Sequence, residues 1–329
     1  MAGQRPVEAV VAPDTWRDRR VLVTGASGLA GGALVTALLE RGARVAVLAH
    51  HSVPAAWLGR VEPRPGALED AASLERAVDG QEVVFHLAAQ AIATEGVRSP
   101  VHTFETNILG TWQLLEACRQ SSGVAAVVVA SSDKAYGVSE ILPYTEEHPL
   151  AARTPYEASK ACADMLAQTY HTTYGVPTVI TRCGNLFGPG DQNFSRIIPA
   201  TIRAVVRGER PVIRSDGLTV RDYLYVVDGA EAYLLVAERL MTEPAGVVGE
   251  AFNFSLEQPL TVLEVVATVL RLMGSPLTPD VLGAPTYDIP RQYLSAAKAR
   301  DRLGWRPRIG FEAGLLETID WYRSALAVG

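Results

Sequence analysis

Thr24-Gly25-Ala26-Ser27-Gly28-Leu29-Ala30-Gly31 is the stretch that decides the fold. Before it stands the β-branched run Arg20-Val-Leu-Val-Thr24, which reads as a short buried strand. After it, apolar residues recur at helical spacing over 29–40, and Gly42 ends the pattern. A TGxxGxxG pattern between strand and helix has the context of a dinucleotide-binding loop. Gly25 permits the tight turn, Gly28 lets the backbone approach a pyrophosphate, and Gly31 lets the helix pack close to the strand. The helix N-terminus offers free amide hydrogens and a positive dipole end to the phosphates.

Outward from this loop, strand and helix alternate. The pattern predicts strands at 44–48, 82–85, 124–130 and 176–181, and helices at 101–119 and 155–174. Alternation of this kind gives an α/β, doubly wound parallel sheet of Rossmann type, with helices on both faces. The second half is less regular. Helices at 196–207, 227–240, 262–273 and 311–324 alternate with short extended pieces and prolines, and predict a smaller mixed C-terminal substrate lobe. The expected organisation is an arm at 1–18, a dinucleotide-binding domain at 19–184 rejoined by about 222–256, and a substrate lobe at 185–329.

The 329 residues carry a formal net charge of −6 with no dense basic patch, which argues against nucleic acid as a partner. Cys118, Cys162 and Cys183 are far apart and lack CxxC spacing, so neither a disulfide framework nor a metal site is expected. They read as reduced thiols of a cytoplasmic protein. No signal peptide or membrane helix is expected, because the apolar run near Val7 is short and interrupted by Glu8.

Tyr156-Glu-Ala-Ser-Lys160 opens the helix at 155–174, with Pro155 where a missing amide hydrogen costs nothing. Spacing of four puts phenol and ammonium on one helix face. A nearby ammonium favours the phenolate, so a lowered tyrosine pKa is expected. Such a tyrosine can take the proton of a sugar hydroxyl while hydride leaves the same carbon. After the strand at 124–130 comes Ser131-Ser132-Asp133-Lys134. The strand at 44–48 is followed by Ala49-His50-His51, without the acid that commonly holds an NAD ribose.

The glycine loop, the serine pair and YxxxK together resemble the extended short-chain dehydrogenases, within the NAD-dependent epimerase/dehydratase family. Further segments match in order along the chain: His86-Leu-Ala-Ala89, Asn107-Ile-Leu-Gly110-Thr111, Arg182-Cys-Gly-Asn185-Leu-Phe-Gly188-Pro189 and Val220-Arg221-Asp222-Tyr-Leu-Tyr-Val226. The Asp133-Lys134 pair resembles that of the nucleotide-sugar 4,6-dehydratases, the CDP-glucose enzymes most closely. Gly66-Ala67-Leu68 departs from the family's Gly-Asp-hydrophobic unit at the adenine.

The resemblance implies a catalytic set of Ser132, Asp133, Lys134, Tyr156 and Lys160, with Asp133 as acid and Lys134 as base, the base's pKa lowered by burial or by Lys160. It implies NAD, with NADP not excluded, held by Gly25, Ser27, Gly28, Leu29, Gly31, His50, Leu68, Leu87, Ala88, Ala89, Asn107, Ser131, Tyr156 and Lys160. A nucleotide-sugar substrate would meet Gln90, Asn185, Arg196, Arg221 and Arg291. A homodimer through the helices at 101–119 and 155–174 is implied as well. The alternatives are a 4-epimerase or decarboxylase of the same family, which needs no charged pair, and more distantly a non-catalytic dinucleotide-binding protein.

Overall fold

The computed structural model describes residues 15–49, 54–284 and 288–327. The chain runs through β1 (Arg20–Thr24), α1 (Leu29–Glu40), β2 (Arg44–Ala49), β3 (Glu62–Pro65), α2 (Ala71–Val78), β4 (Val83–His86), α3 (Ala93–Arg98), α4 (Pro100–Phe104), α5 (Gly110–Gln120), β5 (Ala126–Ala130), α6 (Pro155–Tyr174) and β6 (Thr178–Cys183). It continues through β7 (Asn185–Phe187), α7 (Ile197–Val206), β8 (Val212–Ile213), β9 (Val220–Tyr225), α8 (Val226–Thr242), β10 (Ala251–Phe254), β11 (Pro259–Thr261), α9 (Val262–Leu272), β12 (Asp280–Val281), β13 (Arg291–Gln292), α10 (Ala297–Leu303) and α11 (Phe311–Ala327).

Seven strands form one parallel sheet in the order β10-β6-β5-β4-β1-β2-β3. The order reverses between β1 and β4, which opens a crevice at the carboxyl edge of the sheet. Alternation along each strand builds a core on both faces. Val21 and Val23 pack with Leu34 and Leu38 of α1 and Leu234 of α8. Leu22 between them points the other way, to Leu74 of α2, Leu114 and Leu115 of α5 and Ile180 of β6. Trp16 is fully buried against Phe85, so the end of the expected N-terminal arm is anchored in this core.

A smaller sheet gathers around β9, which pairs with β7 and β13 in parallel and with β11 antiparallel. Its core joins Phe187, Tyr223, Tyr225, Ile202 of α7, Val265 of α9 and Leu315 of α11. The lobe therefore stands over the carboxyl edge of the large sheet, because β7 follows directly on β6.

Some element expectations need correction. The helix expected at 101–119 is interrupted by a π-turn, Glu105–Leu109, between α4 and α5. The widened turn carries the buried Asn107. β3 was not anticipated: it reads Glu-Pro-Arg-Pro, and prolines are tolerated there because it is the edge strand.

Candidate active site

A cavity of about 1180 Å³ runs from the glycine loop to the small lobe. That exceeds the size of a pocket for one drug-sized molecule and leaves room for two ligands side by side. Gly25, Ser27, Gly28, Leu29 and Gly31 line one end. Gly25 adopts φ +74°, a left-handed conformation that favours glycine. A Cβ on it would meet the Ala88 amide nitrogen at 2.6 Å. Helix α1 begins at Gly28 without a side-chain cap, so its first-turn amides are left for an acceptor. These features fit a dinucleotide pyrophosphate. Leu48, Ala49 and Leu68 continue the wall beyond it, where an adenosine would lie. His50 lies outside the described residues.

The middle of the wall is the turn after β5. Ser132 caps a short 3₁₀ turn, Asp133–Tyr136, by accepting a hydrogen bond from the Lys134 amide at 3.2 Å. Its hydroxyl donates to Asp133 Oδ1 at 3.0 Å. Asp133 is buried, its Oδ2 has no hydrogen-bond partner among the described residues, and burial raises its pKa. Lys134 turns away from its neighbour: Nζ donates to Gln292 Oε1 at 2.9 Å and pairs with Asp288 at 3.4 Å.

Helix α6 supplies the tyrosine. Thr154 and Glu157 form a reciprocal capping box, and Pro155 occupies the first turn, so the helix start is well determined. Tyr156 follows at once and faces the cavity. Its phenol is pushed up to about 12 by burial, helped by the Asp133 charge, while a hydrogen bond with Ser132 pulls the other way. This corrects the lowered pKa expected from the spacing to Lys160. Lys160 Nζ instead donates to the Ala130 carbonyl at 2.8 Å, and burial brings its own pKa down to about 8. Desolvation outweighs a charge that is spent on a strand carbonyl.

A buried network holds these elements in register. Arg182 of β6 makes a bidentate ion pair with Asp164 of α6, at 2.7 and 2.9 Å. Its third nitrogen donates to the Tyr136 hydroxyl at 2.8 Å, and that hydroxyl donates to Asn253 of β10 at 2.7 Å. Asp164 is one turn beyond Lys160, and Tyr136 ends the turn that carries Asp133 and Lys134. One guanidinium thus ties the tyrosine helix to the serine turn.

The far end belongs to the small lobe. Asn185 of β7, Arg196 at the start of α7 and Arg221 of β9 line it. Arg196 pairs with Asp191 at 3.0 Å and Arg221 with Asp288 at 2.7 Å.

Leu68, Leu87, Ala88, Ala89, Ser131, Ser132, Asp133, Lys134 and Tyr156 also line the cavity. Lys160, Asn107, Gln90 and Arg291 stand outside its wall. Asn107 accepts from the Gln90 amide at 2.7 Å and donates to the Gln90 carbonyl and to Ser159. Its side chain is occupied in holding the Gln90 backbone and the Ser159 hydroxyl. The Gln90 side chain reaches the Ile92 carbonyl, and the Arg291 guanidinium lies over the Tyr293 ring. Asp288, Gln292 and Arg214 were not anticipated. Gln292 touches both catalytic candidates, while Asp288 and Arg214 line the cavity. No spacing near the known motifs signals them.

A family model described as NAD dependent epimerase/dehydratase matches residues 21–253. The chain is 35% identical to a dTDP-glucose 4,6-dehydratase of Streptomyces antibioticus, over 92% of each chain. It is 31% identical to a CDP-glucose 4,6-dehydratase of Salmonella typhimurium, over 94% of this chain and 92% of the relative. Among solved structures, a UDP-glucose 4-epimerase of Thermotoga maritima with UDP-glucose superimposes with a TM-score of 0.86 at 30% identity, over 93% of this chain and 99% of that one.

Proposed function

The chain belongs to the NAD dependent epimerase/dehydratase family, and we propose that it is a nucleotide-sugar 4,6-dehydratase that forms a 4-keto-6-deoxy sugar nucleotide. One observation carries this choice over the 4-epimerase. Asp133 and Lys134 both line the cavity next to Ser132 and Tyr156, and they do not pair with each other. Oxidation at carbon 4 needs only the serine and the tyrosine. An additional acid and an additional amine on the same wall are what water elimination needs.

The cofactor is NAD, and the residues that would hold it are those of the glycine loop, Leu68, Leu87 to Ala89, Ser131 and Tyr156. When bound, it would accept hydride from carbon 4 and give the same hydride back to carbon 6 after water has left. Tyr156 takes the proton of the sugar 4-hydroxyl, Ser132 shares that hydrogen bond, and Lys160, held on the Ala130 carbonyl one turn along α6, is the cation assigned to the forming phenolate. The 4-ketone makes the proton on carbon 5 acidic. Lys134 removes that proton and later returns it to carbon 5, and Asp133 gives its own to the departing 6-hydroxyl. The raised pKa of Asp133 supports this role, because it keeps a proton available nearer neutral pH. Arg196 and Arg221 would take the diphosphate, and Asn185 would hydrogen-bond it.

We assign a homodimer and a cytoplasmic setting to the same reading. Val101 of α4, Trp112 of α5 and Met165 of α6 expose apolar surface on helices that pack together, which suits a second copy. Three free thiols suit a reducing compartment. Among the described residues, no helix is long and apolar enough to cross a membrane.

The deciding experiment incubates the purified protein and NAD with CDP-, dTDP-, UDP- and GDP-glucose and reads products by mass spectrometry and NMR. Loss of one water from one substrate, with no net cofactor consumed, is expected and names the nucleotide. An unchanged mass with an inverted carbon 4 would overturn the dehydratase and leave the epimerase.

A further inference from the structure

Asp288 stands between two cations that arrive from different parts of the fold. Its Oδ2 lies 2.7 Å from Arg221 of β9, and its Oδ1 lies 3.4 Å from Nζ of Lys134, on the turn after β5. The Ile289 amide donates to Oδ1 at 3.0 Å and fixes the carboxylate. Gln292, four residues on and fully buried, completes the join. It accepts from Lys134 at 2.9 Å and donates to the Asp133 carbonyl at 2.8 Å. Its strand β13 lies beside β9 with Gln292 opposite Arg221. The whole assembly opens on the cavity through Lys134, Arg221 and Asp288.

A carboxylate in the wall of a cavity that receives a diphosphate repels that ligand, a cost that another task of the carboxylate must offset. We propose that Asp288 is a positioning residue of the reaction, its single carboxylate coupling the diphosphate arginine Arg221 to the base Lys134. This rests on the dehydratase reading of those two residues. The incoming diphosphate competes with Asp288 for Arg221, being the more highly charged bidentate partner. The contact of the carboxylate with Lys134 remains. Around Lys134 stand Asp133, Asp288 and Arg221, with Gln292 as the neutral partner. Asp288 is the anion that pairs with its ammonium, so it favours the protonated amine formed when carbon 5 gives up its proton. Asp288 and Gln292 together hold the Lys134 amine at the cavity wall.

The test uses Asp288→Asn and Asp288→Glu in the NAD-loaded full chain. Asparagine keeps the shape and removes the charge. Calorimetric titration with dTDP, CDP and UDP should show Asp288→Asn binding the preferred diphosphate about three- to fivefold tighter, the scale of one partly exposed ion pair removed from competition. The plateau of kcat should fall about tenfold, because the amine loses the anion that holds it in place. Asp288→Glu should restore most of both. Diphosphate binding that is unchanged or weaker in Asp288→Asn overturns the proposal, and so does an unchanged kcat. A wild-type enzyme that releases no water would instead overturn the dehydratase reading, while the titration still judges the link between Asp288 and Arg221.

Discussion

Gly31 lies directly over Gly25: a Cβ on Gly31 would stand 2.1 Å from the Gly25 carbonyl oxygen. No side-chain rotation relieves that contact, since both groups are backbone. Helix α1 must move away from β1 to accept any side chain, and its amide end moves with it.

Gly31→Ala is therefore expected to cost about 1–3 kcal/mol of stability from overpacking. NAD affinity should fall at least about tenfold, since the amides that face the pyrophosphate shift with the helix. Thermal melts with and without NAD check both effects.

Asp133→Asn and Lys134→Met should each lower dehydration by about 10²–10⁴-fold, the usual worth of a general acid or base. Oxidation at carbon 4 should survive, because Ser132 and Tyr156 remain. Stopped-flow absorbance of the reduced nicotinamide, followed by product mass, separates the two steps. Equal loss of oxidation and elimination would remove both residues from the elimination step.

Asp164→Ala leaves the Arg182 guanidinium buried without its carboxylate. Breaking one side of such a pair costs about 3–5 kcal/mol. The serine turn should loosen too, because Arg182 also holds Tyr136. Urea unfolding gives the stability, and a drop in kcat beyond the unfolded fraction reports the turn.

His86 is fully buried between two threonines, 2.9 Å from Thr24 and 2.9 Å from Thr111. The Thr111 hydroxyl donates to the Asn107 carbonyl, so it receives the His86 Nε2 proton, and Nδ1 is left to accept from Thr24. The ring is satisfied as a neutral group. Burial first, then the Lys160 charge, brings its pKa down to about 3. The unfolded value is about 6.5. Stability from this group is fully present above that pH and is lost as pH falls from about 6.5 towards 3, because only the unfolded chain takes the proton. The slope should approach about 1.4 kcal/mol per pH unit in that window. Denaturant melts of wild type and His86→Asn from pH 7 to pH 4 should show this slope in wild type and a shallower one in the variant.

Met165 of α6 and Trp112 of α5 are 59% and 47% exposed. If a second copy covers this face, Met165→Glu should convert the dimer to monomer in light scattering at micromolar concentration. A wild-type monomer at high concentration would remove the assignment.

The chain's own order of residues determined the parallel sheet, the glycine loop at its β1 edge and the tyrosine at the start of α6. Each depends on local rules: β-branched runs, helical spacing, a proline and a capping box within a few residues of one another. The serine turn was legible for the same reason. Tertiary structure decided the charge environment. Lys160 and Tyr156 share a helix face, yet burial and the Ala130 carbonyl, supplied by a distant strand, reverse the expected effect on the phenol. Asn107 sits within its expected segment, but a π-turn directs it to Gln90 and Ser159. Asp288 and Gln292 lie more than 150 positions from Lys134 and carry no motif. Only the pairing of β13 with β9, and the placing of that sheet over the carboxyl edge of the other, brings them to it. Spacing along a chain reports neighbours on one element, whereas desolvation and ion pairing depend on what the rest of the fold packs against it.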